Sequence, residues 1–154
     1  MSGSSAHAYD FAVLRVVPRV HLGAFVNVGV VMHARSAEFL ALRVLTDDAA
    51  LRARLPGMDA DLLARYLRAS EAICAGDAKA GPVALAPPSE RFHWLTAPRS
   101  DVLQSSPVHE GVCADLQFEL ERLSGIYVEL ATGCRATSRA VRAAMKRDSC
   151  DARG

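Results

Sequence analysis

YDFAVLRVVPRV (Tyr9–Val20), AFVNVGVVMH (Ala24–His33) and FLALRVLT (Phe39–Thr46) follow one another with only HLG and ARSAE between them. All three runs are rich in Val, Leu and Phe, residues that suit a pleated, half-buried surface. Links this short favour antiparallel neighbours, because a parallel return needs a crossover of about a dozen residues or more. Pro18 has no N–H to give to a ladder, so it fits a strand end, an edge or a bulge. The stretch from Tyr9 to Thr46 therefore reads as a three-stranded meander.

Side chains alternate across a strand, and the alternation here is informative. In the first run Ala12, Leu14, Val16 and Val20 share a face opposite Arg15 and Arg19. In the second, Val26, Val28, Val30 and Met32 share one face, and Asn27, Gly29 and His33 the other. In the third, Leu40, Leu42 and Val44 oppose Arg43. Each strand has one clean apolar face, which needs a cover, and one face interrupted by polar groups. Asn27-Val28-Gly29 is unusual in mid-strand. A glycine there marks a bulge or the close approach of another backbone. Asn27 is then either a bulge residue that satisfies backbone groups or an orienting hydrogen-bonder in a site.

The cover comes next in the chain. Residues 46–57 form a possible short helix opened by Asp47 or Asp48 and stopped by Pro56-Gly57. Asp59 is a plausible N-cap for a longer helix to about Ala75, with Leu62, Leu63, Tyr66, Leu67 and Ile73 in one stripe. Residues 76–90, with three Pro and two Gly, read as a linking loop. Arg91–Ala97 reads as a fourth strand, with Phe92 and Trp94 on a core face and Arg91, His93 and Leu95 opposite. After the loop Arg99–Gly111, the spacing of Leu116, Leu120, Leu123, Tyr127 and Leu130 predicts a helix over 114–130, with Gly125 inside it. Residues 135–147 match a basic helix only weakly. The fold class that follows is α+β: an antiparallel sheet of about four strands with two or more helices packed on one face. Residues 9–130 make a single domain, between a flexible N-terminus (1–8) and a basic C-terminal tail (131–154).

The chain has 154 residues, 51% of them hydrophobic and 23% charged, enough to bury a core in one domain. Its net charge of +1 is unevenly spread. The tail carries Arg135, Arg139, Arg142, Lys146, Arg147 and Arg153 against Asp148 and Asp151, a local +4, which leaves −3 on the rest. Such a tail contacts nucleic acid or a protein partner, or is simply solvated. The four cysteines form no CxxC pair and no zinc-type spacing. The start MSGSSAHAYD has no signal-peptide pattern, and no window approaches 18 apolar residues, so a cytoplasmic protein with free thiols is expected. Neither a G-x-x-x-x-G-K-[ST] nor a G-x-G-x-x-G loop occurs, and nothing calls for a cofactor or metal.

The polar residues of the strands point to one chemistry. Arg15, Arg19, Asn27, His33, Arg43, Arg91 and His93 all lie opposite apolar faces. Gathered on one sheet face and rimmed by Arg99, Asp101, Gln104 and His109, such groups would hold an anion, since Arg offers a planar fork to phosphate or carboxylate. The alternative is a solvated outer face paired with local acids. His93, His109 and Asp101 are also the right types to orient Ser105 or Ser106 as a nucleophile, or to ligate a metal, but no G-x-S-x-G elbow and no ligand spacing accompanies them.

Three elements carry a resemblance: R-V-V-P (Arg15–Pro18), F-V-N-V-G (Phe25–Gly29) and P-R-S-D-V-L-Q-S-S-P-V-H (Pro98–His109). With the L-E-R-L helix, they make residues 8–130 resemble the bacterial domain-of-unknown-function family numbered 3037. The resemblance lends no reaction and no cofactor. Genes of this family are often found beside genes for HipA-like kinases, which implies such a kinase as a partner. Two function classes follow: a non-catalytic binding or regulatory module, or an enzyme acting on a phosphate-bearing or nucleic-acid substrate through the Arg/His face.

Overall fold

The computed structural model describes residues 5–98 and 102–129. The meander forms as expected, from β1 (His7–Arg19), β2 (Ala24–Ala34) and β3 (Phe39–Val44). It is joined by β4 (Leu103–Ser105) and β5 (His109–Cys113), both antiparallel to β1. The sheet order is β3-β2-β1, with β4 and β5 end to end along the far side of β1. Helices α1 (Asp48–Arg54), α2 (Ala60–Ala75), α3 (Pro88–Thr96) and α4 (Leu116–Ser124) complete the α+β fold.

Both faces of the sheet are covered. Ala12, Leu14 and Val16 pack with Leu51, Leu63, Leu67, Ile73 and Phe92 from α1, α2 and α3. The opposite side chains of β1, Tyr9, Phe11 and Val13, pack with Leu116, Leu120 and Leu123 of α4. Three helices thus cover the expected apolar face, and the fourth covers the other. Removing an apolar side chain of this size from water is worth about 1.5–3 kcal/mol, and Met32, Leu51, Leu67 and Leu120 are among the fully buried ones.

The strand alternation needs one correction. β2 carries a bulge: Leu14 pairs with Gly29, but Arg15 pairs with Asn27, so Val28 is an extra residue. The bulge reverses the phase of β2. Val26 and Val28 face α1 and α2, whereas Val30 and Met32 face α4. Gly29 is needed for close approach as well, because a Cβ there would sit 2.6 Å from Val44 Cγ1 and 2.8 Å from the Arg43 carbonyl oxygen.

The larger correction concerns residues 91–97, which belong to α3 rather than to a strand. Pro88 starts that helix, in the first turn where a missing N–H costs nothing. Phe92 and Leu95, three apart, are its buried residues, and Trp94 is 37% exposed rather than core. Over four or five residues, one buried aromatic and its neighbours fit either period. The sheet's further strands lie instead in the segment expected to be a loop.

The junction of β4 and β5 explains the Ser-Ser-Pro sequence. Leu14 pairs with Ser105 and Phe11 with His109, so residues 106–108 bulge opposite Ala12 and Val13. Ser106 bonds Val13 twice: its N–H donates to the Val13 carbonyl (2.8 Å), and its Oγ accepts from the Val13 N–H (2.9 Å). The hydroxyl stands in for the ladder acceptor lost at the bulge.

The helix caps are as read for Asp47 and Asp59, which accept from the N–H groups of Ala50 and Leu62. Residues 76–90 are more ordered than a plain linker, with two 3-10 turns, Ala78–Ala80 and Pro82–Leu85, that place Ala84 in the core. Gly125 does not break the last helix. The backbone passes there from α4 into a π-helical turn, Gly125–Glu129. The basic helix considered for 135–147 lies outside the described residues.

Candidate functional site

Directly opposed residues of an antiparallel sheet point to the same face. Arg15 is opposed on one side by Asn27 and on the other by Gln104. Three of the residues singled out from sequence thus form one row, Gln104–Arg15–Asn27, on the face that α4 covers higher up. All three are half-buried. The Arg15 guanidinium lies over the Phe25 ring, 4.7 Å from its centroid, and Nη2 makes a long contact to the Ser105 carbonyl (3.5 Å). Phe25 remains 51% exposed. An arginine stacked on an aromatic ring is held flat, with its fork edge free for a planar acceptor.

The charge around the row is one-sided. No Asp or Glu occurs between Asp10 and Glu38, whereas Arg15, Arg19, His21, His33 and Arg35 all do. The ion pairs among the described residues are Arg52–Asp61 (3.3 Å) and Arg122–Glu119 (2.7 Å), and neither involves Arg15. Asn27 has a structural duty too. Its Nδ2 donates to the Tyr127 carbonyl (3.0 Å), so it serves both the bulge and the end of the last helix.

The other candidates separate. Arg91 does not face the sheet's polar row. Its Nη1 donates to the carbonyls of Cys74 (2.6 Å) and Ile73 (3.3 Å), and its Nε to that of Ala86 (2.9 Å), closing the C-terminal end of α2. His93 lies on α3, and its Nδ1–H donates to the Ser89 carbonyl (2.7 Å). His109 is exposed on β5 with its ring 5.3 Å from Phe11. It shares the row's face but pairs at Phe11, four residues and ~13 Å along β1 from Arg15. Arg99 and Asp101 lie outside the described residues. The serine hydroxyls point to backbone: Ser105 Oγ donates to the Ser106 carbonyl and Ser106 Oγ to that of Pro107, both at 2.8 Å.

Sequence reading missed two groups. Phe25 precedes Asn27 by two, which in an alternating strand puts it on the same face as Arg15. The second is a polar cluster at the other end of that face. Tyr9 Oη donates to Glu119 Oε1 (2.6 Å), and Arg122 donates to both Glu119 oxygens (2.8 and 2.7 Å). The Arg122 fork holds the Glu119 carboxyl below its ordinary range against the opposing effect of burial. Burial, then the bond to Glu119, pushes the Tyr9 phenol well above its own. Glu119 follows Leu116 by three, the signal that it faces inward.

Among the described residues no three His, Cys, Asp or Glu side chains are grouped to hold a metal, and no helix is long and apolar enough to cross a membrane. The Cys74 thiol is pushed up to about 11, chiefly by burial, which makes it a packing residue and not a nucleophile. No curated protein and no solved structure matches the chain. The family model described as "Protein of unknown function (DUF3037)" matches residues 11–128, most of the chain and both halves of the sheet, and the chain belongs to that family.

Proposed function

We propose that the protein is a non-catalytic binding or regulatory module that takes an anionic group of its partner at the Gln104–Arg15–Asn27 row. The observation that supports this reading is the state of Arg15: stacked on a half-exposed Phe25, flanked by two amides, and in no ion pair with a described carboxylate. The other candidate side chains do not gather at this row. Arg91 is committed to a helix end, His93 lies on the helix α3, and His109 is ~13 Å along β1 from Arg15. The family resemblance suggests a HipA-like kinase as the partner, and a phosphoryl group or a carboxylate of that partner suits the guanidinium equally.

Co-expression with a HipA-like kinase tests this. The wild-type chain is expected to co-purify with it. Arg15→Ala and Phe25→Ala should each weaken the complex about tenfold or more, the loss of one charge-assisted contact. Undiminished affinity in Arg15→Ala sinks the assignment of the row. Turnover of a phosphate ester that vanishes in His109→Ala favours the enzyme reading instead.

A further inference from the structure

Among the described residues β5 pairs with β1 alone, so its other side is an edge of the sheet. The outward N–H and C=O groups of such an edge are donors and acceptors that another extended segment can fill. Edges are normally blunted by charge, proline or a bulge. Here Pro107 and the bulge at 106–108 blunt one end and α4 begins beyond the other, but the stretch between them, 109–115, carries no Lys or Arg. Its surroundings are apolar as well. Val112 is 68% exposed, and Ala8, opposite it on β1, is exposed too. Val108, in the bulge, and Phe118, in the first turn of α4, are also exposed.

This edge is complementary to itself. A two-fold axis perpendicular to a sheet keeps each strand's faces, and opposed residues share a face, so the axis passes through a residue position. An axis at Glu110 would oppose two carboxylates. An axis at Gly111 would leave Glu110 and its copy ~8 Å apart on one face, each with Asp10 beside it. An axis at Val112 has neither fault. Val112 then meets its own copy, Glu110 meets Ala114, Gly111 meets Cys113, and His109 meets Asp115, twice over by symmetry. Neither His109 nor Asp115 is in an ion pair among the described residues. Asp115 has extended backbone (φ −130°, ψ 107°), and its Oδ1 caps α4. The same register sets the exposed Val108 of each copy against Leu116 of the other, at the turn that carries Phe118.

We propose that the chain forms a homodimer by antiparallel pairing of β5 with β5 of a second copy about a two-fold axis at Val112, with His109 of each copy against Asp115 of the other. The two sheets join edge to edge, and both Gln104–Arg15–Asn27 rows lie on the same face of the joined sheet. The pairing does not rest on that row being a binding surface.

Sedimentation equilibrium of the full-length chain tests the proposal. The wild type is expected to dimerise between ~1 and ~100 μM. Val112→Lys sets two ammonium groups against each other on the axis and should weaken the dimer about tenfold or more, with an unchanged circular dichroism spectrum because the site is exposed. His109→Glu should weaken it as well, and His109→Lys should not. Cross-linking reads the register. Oxidation of Val112→Cys should link residue 112 to its copy, whereas Glu110→Cys, with its copies ~14 Å apart, should not link. Should Val112→Lys disturb the fold, the cross-link decides. A chain that stays monomeric to ~100 μM overturns the proposal. A dimer that Val112→Lys leaves intact, or in which Glu110→Cys links and Val112→Cys does not, overturns it too and places the contact elsewhere.

Discussion

The two faces of the sheet solve the same three problems differently. Each must pack apolar side chains, close the C-terminal end of a helix, and house a buried histidine or carboxylate. On the α2/α3 face the helix end is closed locally: α2 stops at Gly76 in the left-handed conformation (φ 74°), and Arg91, 17 and 18 residues further on, bonds the last carbonyls. On the α4 face the helix end is closed from afar, by Asn27 and Arg54, 100 and 74 residues from the carbonyls they bind. The group is an imidazole on one face, His33 stacked on Phe92 (5.3 Å), and a carboxylate on the other, Glu119 with Tyr9 and Arg122. The α2/α3 face is therefore a self-contained layer, and the α4 face ties the two ends of the domain together. The largest effect that can break the comparison is at Arg91. Arg91→Ala leaves three carbonyls without their charged donor and is expected to lower global stability by about 3 kcal/mol, read from the urea midpoint. Arg91→Lys should recover only part of that, because an ammonium cannot reach carbonyls on both sides as the guanidinium does. A loss below ~1 kcal/mol would mean that water replaces the arginine and that this end is not closed by it.

Arg91 also shows how far the sequence is legible. The meander could be read because three runs with short links leave few alternatives, and the caps at Asp47 and Asp59 because capping is local. The signal that residues 91–97 are a helix is absent from their alternation, which fits a strand. It lay in Pro88 before them and in the burial of Phe92 with Leu95, which only the finished core reveals. Once the segment is a helix, Arg91 and His93 leave the sheet, and the row itself holds Arg15 and its two amide neighbours. The bulge at Val28 is a similar case. Asn-Val-Gly signalled it, but the phase reversal it imposes on β2 follows from pairing with β1, a non-local fact. Glu119 was overlooked because a carboxylate on a helix is normally solvated, and its partner Tyr9 is 110 residues away.

A smaller effect is expected on the α4 face, and it sharpens the contrast by testing long-range closure. Gly111 opposes Tyr9, and a Cβ at Gly111 would come within 2.4 Å of Tyr9 Cζ and Oη. The ring therefore lies across the glycine on its way to Glu119. Gly111→Ala must push it aside and should cost about 2 kcal/mol. If the cost arises through the lost Tyr9–Glu119 bond, Gly111→Ala and Glu119→Gln will be strongly non-additive in a double-mutant cycle. Additive losses would mean that the alanine only disturbs β5, and that the Tyr9 contact does not couple the N-terminal strand to α4.

The smallest expected effect is a difference in pH response between the faces. His33 has its proton affinity lowered, first by burial and then by His93 and Arg35, with Asp10 acting in the opposite sense. A histidine held neutral in the fold binds fewer protons than it does in the unfolded chain. Stability contributed there is fully present above the ordinary histidine value of ~6.5 and falls as pH drops from that value toward the lowered one. Glu119 is depressed, chiefly by Arg122, so its contribution is present above the ordinary value of ~4.3 and is lost only as pH falls further. The α3 contact should thus weaken as pH falls below about 6.5, while the α4 contact holds. His33→Phe keeps a ring to stack on Phe92 and removes the titration. The stability of the wild type relative to His33→Phe, from urea midpoints at pH 8 and pH 5.5, should therefore fall toward acid. A constant difference across that range would show that His33 is solvated enough to protonate freely, and that the α2/α3 layer is open where it looks closed.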